Sequence, residues 1–172
     1  GRSQHHFKTV SSEDEFLIRE LKANFGIIGT AALVTQRKGL DQVVKALPML
    51  PGYAFLVIGD GPYLEELKSL AKTLDVGDRV LFLGFRSNAR DYFPFMDVYA
   101  MPSLSEGMPL AMLEAVDGEV PVVCSDIPVF REIFTDDEVA FFSLNDISGL
   151  VASVVKVENN LQNYKLKAKI KF

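Results

Sequence analysis

From Phe25 onward the chain alternates between short apolar runs and longer stretches in which apolar residues recur every three or four positions. The runs FGIIGTAALV (25–34), YAFLVIG (53–59), RVLFLG (79–84), DVYAMP (97–102), VPVVCS (120–125) and VAFFSL (139–144) have the length and composition of strands. Between them, GLDQVVKALPML (39–50) has helical spacing at Leu40, Val43, Val44 and Leu47. PYLEELKSLAKTL (62–74) lines one helical face with Leu64, Leu67, Leu70, Ala71 and Leu74, and Pro62 suits its first position, where an amide would have no helical partner. Strands apolar on both faces, mostly separated by helices, predict a parallel sheet covered on both sides. The expected fold class is therefore α/β, doubly wound and Rossmann-like. Residues 1–24 show no strong period. Ser11, Ser12 and Glu13 can cap a short helix through EDEFLIREL, but the segment reads as a lead-in or linker, with 25–172 as the domain.

In sheets of this kind ligands bind beyond the carboxyl ends of the strands, so the loops at 34–39, 60–62, 84–90, 102–108 and 125–128 are the places to look. SLSEGMPLAMLEAV (103–116) follows the fourth strand and carries Glu106 and Glu114 eight positions apart. Gly107 permits a close backbone approach. Pro109 fits the first turn of a helix and brings no amide of its own, while the amides of Gly107, Met108 and Leu110 are expected to be unpaired there. Free amides at the positive end of a helix dipole form an anion site suited to a phosphate. A carboxylate accepts two hydrogen bonds from a vicinal diol, so acids bracketing a phosphate site suggest a sugar nucleotide. Taken alone, Glu106 also fits a surface capping acid and Glu114 an exposed helix residue. In TQRKGL, Arg37 and Lys38 face the same crevice and suit a diphosphate, or else form a solvated basic turn. GFRSNA, after the third strand, offers a Gly-Phe pair as a stacking wall for a base.

Composition narrows the classes. A length of 172 residues suits one domain, or one and a fraction. A net charge of −5 argues against bulk nucleic-acid binding. The one cysteine, Cys124, excludes an internal disulfide and is consistent with a reducing, cytoplasmic setting. No apolar run approaches the roughly 20 residues of a membrane span, and no signal-peptide pattern opens the chain. Neither a GxGxxG fingerprint nor a GxxxxGK[ST] loop is present, and no Cys/His cluster has metal-ligand spacing, so no cofactor and no metal is expected. His5 and His6 are adjacent, so their side chains share no face of a helix or strand. In KLKAKIKF, Lys165, Lys167, Lys169 and Lys171 would form a basic stripe on a strand but scatter around a helix. Two readings stand for them: a solvated tail, or attraction to an anionic membrane surface.

The order of these pieces resembles the C-terminal domain of the retaining glycosyltransferases of family 4, in the two-Rossmann-domain (GT-B) group. The resemblance runs from about Phe25 to Phe134 and more loosely to the end. It rests on Lys38-Gly39, VIGDGP (57–62), RVLFLGF (79–85), DVYAMPSLSEGMPLAMLEA (97–115) and PVVCSDIPVFREI (121–133), with the family's E-x7-E motif at Glu106 and Glu114. It implies that Lys38 binds the donor diphosphate and that Glu106 contacts the donor sugar near the reacting centre. It further implies that Glu114 holds the ribose hydroxyls, that amides after Glu106 hold phosphate and sugar oxygens, and that Arg86 lies beside the base. Two positions depart from the pattern. Leu33 stands where the family often has an arginine, and the usual Ala-Cys-Gly helix exit reads Asp117-Gly118-Glu119. The acceptor-binding N-terminal domain has no counterpart in the chain, which stops about where the family's last helix would cross back to it. The expectation is a donor-binding half, catalytically silent alone, with a nucleotide sugar and that N-terminal domain as partners. For the full-length protein a peripheral contact at the inner membrane face is the alternative to a solvated tail, since several such transferases work on lipid acceptors. The rivals are half of a sugar-nucleotide epimerase and a non-catalytic Rossmann-like binding module. A phospho-acceptor receiver is excluded, because strand one ends in basic TQRKG rather than in clustered acids.

Overall fold

A computed structural model describes residues 10–164. Six strands form one sheet: β1 (Gly26–Ala31), β2 (Tyr53–Ile58), β3 (Val80–Gly84), β4 (Val98–Met101), β5 (Val122–Ser125) and β6 (Ala140–Phe142). All neighbours are parallel, in the order β3-β2-β1-β4-β5-β6. Helices α1 (Ser12–Lys22), α2 (Asp41–Ala46), α3 (Leu64–Thr73), α4 (Leu110–Asp117), α5 (Pro128–Ile133) and α6 (Ile147–Asn159) flank it. The expected doubly wound α/β fold is present, each predicted strand being trimmed at one or both ends.

Alternation along the strands divides the core between two faces. Ile27, Leu56, Tyr99 and Cys124 belong to one buried cluster, packed with residues of α1, α4 and α5 such as Ile18, Met112 and Phe130. Ile28, Phe55, Val57 and Val123 belong to the other, packed with residues of α2, α3 and α6 such as Val44, Leu67 and Val154. Cys124 lies wholly in the first core, where burial pushes its thiol pKa up, so it is a packing residue.

The segment expected to be a lead-in contains α1, which is part of the fold. Ser11 Oγ accepts from the Asp14 amide at 3.1 Å and caps the helix, as the serines in the sequence suggested. Ile18 is fully buried against the sheet, worth about 1.5–3 kcal/mol. That single apolar anchor was too sparse to register as a period. His5, His6 and the four C-terminal lysines lie outside the described residues.

The strand order reverses between β1 and β4. Chain leaving β1 goes on to β2 on one side, whereas β4 and β5 build outward on the other. The loops after β1 and β4 meet at the carboxyl edge beside this reversal, the usual ligand position in such sheets. Both basic and acidic candidates stand on those two loops.

Candidate functional site

The two loops are tied together before any charged group is considered. After β1 the chain makes a tight turn over Gln36–Lys38, closed by Gly39 in the left-handed region at φ 66°. A Cβ at Gly39 would lie 2.1 Å from the Pro102 carbonyl oxygen, so both conformation and space demand glycine. The Leu104 amide donates to the Arg37 carbonyl at 2.9 Å. Beneath them, the buried Gln42 side chain donates from Nε2 to Gly39 O (3.1 Å) and Pro102 O (2.9 Å), while its Oε1 accepts from the Asn145 amide at 2.8 Å. One amide thus fastens the loops after β1, β4 and β6. Sequence reading missed Gln42; its only signal was a polar residue beside the apolar face of α2.

On this platform Lys38 Nζ donates to both oxygens of Glu106 at 2.9 Å. Ser103 Oγ donates to Glu106 Oε2 at 2.9 Å, and the Ser103 carbonyl accepts from Ser125 Oγ at 2.5 Å. The Glu106 side chain is only 7% exposed. Burial by itself would raise its pKa, but the bonds from Lys38 and Ser103 and the charges of Lys38 and Arg37 outweigh that and hold it below the usual carboxylate range. Arg37 turns onto the same loop: its Nη1 donates to Ser105 O at 2.9 Å and stands 3.7 Å from Glu106 Oε1. Two cations therefore meet one anion, leaving net positive charge at the crevice.

Helix α4 begins beside this cluster. Pro109 is its N-cap rather than its first helical residue, and no side chain caps it. Of the amides expected to be free, that of Leu110 is not, since it donates to Met108 O at 2.9 Å. Gly107 and the Met108 side chain are exposed on the loop, and the Leu110 side chain is exposed at the start of α4. Glu114 stands a turn further along, beside a small cleft of about 180 Å³ shared with Arg90, Asp91 and Phe93. Its carboxylate makes no hydrogen bond or ion pair among the described residues. The charges of Glu114 and Glu106 both reach Tyr99, whose hydroxyl donates to Ala31 O at 3.1 Å; burial, against the hydrogen bonds at Ala31 and Thr30 and with a smaller push from the two acids, raises its pKa to about 12. At the departure from the family pattern, the left-handed residue ending α4 is Glu119 (φ 64°), while Gly118 has φ −80°.

On the other side of β1 a cleft of about 530 Å³ opens at the ends of β1, β2 and β3, lined by Ala31, Ala32, Leu33, Asp60, Phe85 and Arg86 among others. Leu33 and Phe85 are exposed there. Arg86 is held by Asp14 of α1, which accepts from its Nε at 2.9 Å and its Nη2 at 3.1 Å, and Tyr92 donates its hydroxyl to the same carboxylate. The Arg86 bonds hold the Asp14 carboxyl below its ordinary pKa, against a smaller opposing effect of burial. Tyr92 moves the other way, up to about 12, through burial and the Asp14 charge. Asp14 is the second residue that sequence reading missed, since nothing local separates it from Glu13 and Glu15. Among the described residues, no group of three or more His, Cys, Asp or Glu side chains could hold a metal ion, and no helix is long and apolar enough to cross a membrane.

Comparison with known proteins places this geometry in a family. The family model described as glycosyl transferases group 1 matches residues 12–171. The chain is 32% identical over 134 residues to the O-antigen biosynthesis glycosyltransferase WclY of Escherichia coli, covering 78% of this chain and 38% of that protein. Among solved structures, Anabaena HepE in complex with UDP and glucose superposes with a TM-score of 0.82 at 22% identity, over 94% of this chain and 47% of that one. The C-terminal domain of the group 1 family protein LpcC from Francisella tularensis superposes with a TM-score of 0.76 at 18% identity, over 94% of this chain and 91% of that one. The structural likenesses establish the fold, a Rossmann-like half of the GT-B type. The chain thus spans well under half the length of the curated relatives it matches, and nearly all of a solved C-terminal domain.

Proposed function

The chain belongs to the glycosyl transferases group 1 family, and from that premise we propose that it is the donor-binding half of a retaining, family 4-like glycosyltransferase. Its substrate is a nucleoside diphosphate sugar, and the whole enzyme passes the sugar to an acceptor hydroxyl in polysaccharide, lipopolysaccharide or glycolipid synthesis. The observation that carries the reading is the Lys38–Glu106 contact at the β1/β4 switch point, with Arg37 as a second cation on the same acid.

The chemistry follows from charge. As the bond between the anomeric carbon and the diphosphate oxygen breaks, negative charge collects on the departing diphosphate. In this reading Lys38, released from Glu106, meets that charge together with Arg37 and the N-terminus of α4, the kind of electrostatic stabilisation that dominates rate enhancement. The acceptor oxygen bonds to the anomeric carbon from the face the diphosphate leaves, and its proton goes to the departing diphosphate. No metal is needed in this scheme. Glu106 orients the sugar through the sugar hydroxyls, and Glu114, whose carboxylate makes no hydrogen bond or ion pair among the described residues, is open to a ribose diol. Leu33, Phe85, Leu104, Met108 and Leu110 expose apolar surface around the crevice, as a face that meets an acceptor-binding domain would.

Titration of the full-length protein with a panel of nucleoside diphosphate sugars tests the reading. One member of the panel should bind, and its sugar should reach an acceptor with the anomeric configuration unchanged by NMR. Residues 1–172 alone should bind the nucleotide and transfer nothing. Inverted product would remove the retaining assignment, and transfer by 1–172 alone would remove the half-enzyme reading. Failure of every nucleotide to bind would favour the non-catalytic module.

A further inference from the structure

The site just proposed has two basic regions, and Arg86 differs from the other in one respect: its charge is already matched. Asp14 is 3% exposed and gives Arg86 a two-point carboxylate fork, Nε to Oδ2 at 2.9 Å and Nη2 to Oδ1 at 3.1 Å. Such a fork fixes the plane of the guanidinium as well as its position. The remaining nitrogen, Nη1, donates to the Phe85 carbonyl at 3.0 Å, so the same group also braces the backbone that presents the Phe85 ring. Tyr92, itself buried, holds the carboxylate from behind through its hydroxyl. A guanidinium carries five N–H donors; three are engaged in these bonds, and two are left for a ligand.

We infer that Asp14, on α1, is a positioning residue for the nucleobase end of the donor site, acting through Arg86 on the cleft between Leu33 and Phe85. The inference rests on the donor-site reading above and assigns a task to a helix outside the loops that carry the phosphate groups. With its charge cancelled and its plane fixed, Arg86 makes the cleft unsuited to a phosphate and suited to a flat, uncharged ring. Ala31, Ala32, Leu33 and Phe85 supply the apolar walls, and the two spare N–H groups meet ring oxygens or nitrogens at a set angle. The carboxylate and guanidinium lie 72 residues apart in the chain, so the orientation depends on how α1 docks and not on the loop after β3 alone.

The test is calorimetry on the full-length protein with UDP, GDP, ADP and inorganic pyrophosphate, for the wild type, Asp14→Asn and Tyr92→Phe, with melting temperatures alongside. Asp14→Asn should weaken the preferred nucleoside diphosphate about tenfold and narrow the ratio between the best and worst bases. Pyrophosphate, which has no base, should keep its affinity within about twofold. Tyr92→Phe should move the same ratio by less, and decides the matter if Asp14→Asn does not fold. An unchanged base ratio, or equal weakening of all four probes, would reduce Asp14 to a structural tie. A wild type that binds pyrophosphate but no nucleoside diphosphate would remove the inference together with the donor reading. A wild type that discriminates among bases beside a variant that still does so equally would remove the inference alone.

Discussion

Glu106 and Asp14 are both nearly buried carboxylates bound by a basic side chain and a hydroxyl, yet they are built for opposite behaviour. Glu106 sits on a loop at the β1/β4 switch point, and its cation, Lys38, has a flexible stem and three rotatable donors. With Arg37 nearby, the cluster keeps an excess of positive charge. Asp14 sits on a helix anchored by Ile18, and its cation is a planar guanidinium held at three nitrogens, with no charge left over. The difference teaches what separates a buried ion pair that can exchange a partner for a ligand from one that only orients. Surplus charge and a mobile cation suit the first; a closed balance and a rigid fork suit the second.

The largest expected effect would break the comparison on the Glu106 side. Lys38→Ala in the full-length enzyme should lower turnover about a hundredfold or more, a transition-state cost of ~2.7 kcal/mol or above. Leu33 provides no replacement charge for Lys38, and Arg37, half exposed and 3.7 Å from Glu106, should cost less on replacement by alanine. Steady-state kinetics showing the reverse order would make Arg37 the diphosphate ligand and Lys38 only the partner of Glu106.

Next in size is the Asp14 side, where the loss should appear in stability. Asp14→Ala removes an acceptor from three donors, each a charge-assisted or buried bond. Because the Arg86 side chain is 33% exposed, water recovers part of the cost, and the net loss should be about 1.5–2 kcal/mol in denaturant unfolding. No change in unfolding midpoint would mean that α1 docks through Ile18 alone.

A smaller effect separates the two acids by pH. Both pKa values are held below their ordinary values, 4.5 for Glu106 and 3.8 for Asp14. A carboxyl lowered by folding stabilises the protein above its ordinary value, and that contribution fades as pH falls through the lowered one. Stability should therefore drop on the acid side as each carboxyl takes up its proton below its ordinary pKa. Glu106→Gln and Asp14→Asn should each flatten the acid unfolding profile by the share of the carboxyl removed; a variant whose profile keeps the wild-type slope would contradict it for that acid. The smallest effect is the control: Arg90 and Asp117 pair while both are more than half exposed, so Asp117→Ala should shift thermal stability by about 0.5 kcal/mol or less. A loss as large as that of Asp14→Ala would mean that burial is not what separates these pairs.

The local pattern of the chain determined a great deal by itself. Apolar runs that left no face for water demanded a covered parallel sheet, and Gly39, Glu106 and the start of α4 were legible because turns and helix starts are written in neighbouring residues. The loops worth searching followed from that layout, since each trails a strand. Tertiary structure alone decided the order β3-β2-β1-β4-β5-β6, and with it which two loops face each other across the switch point. It alone decided that α1 belongs to the fold, that Gln42 bolts three loops together, and that one acid in SSEDE reaches Arg86. The reason is physical: periodicity reports which side of an element is apolar, whereas the burial of a polar group depends on a partner that folding delivers from 60 to 103 residues away.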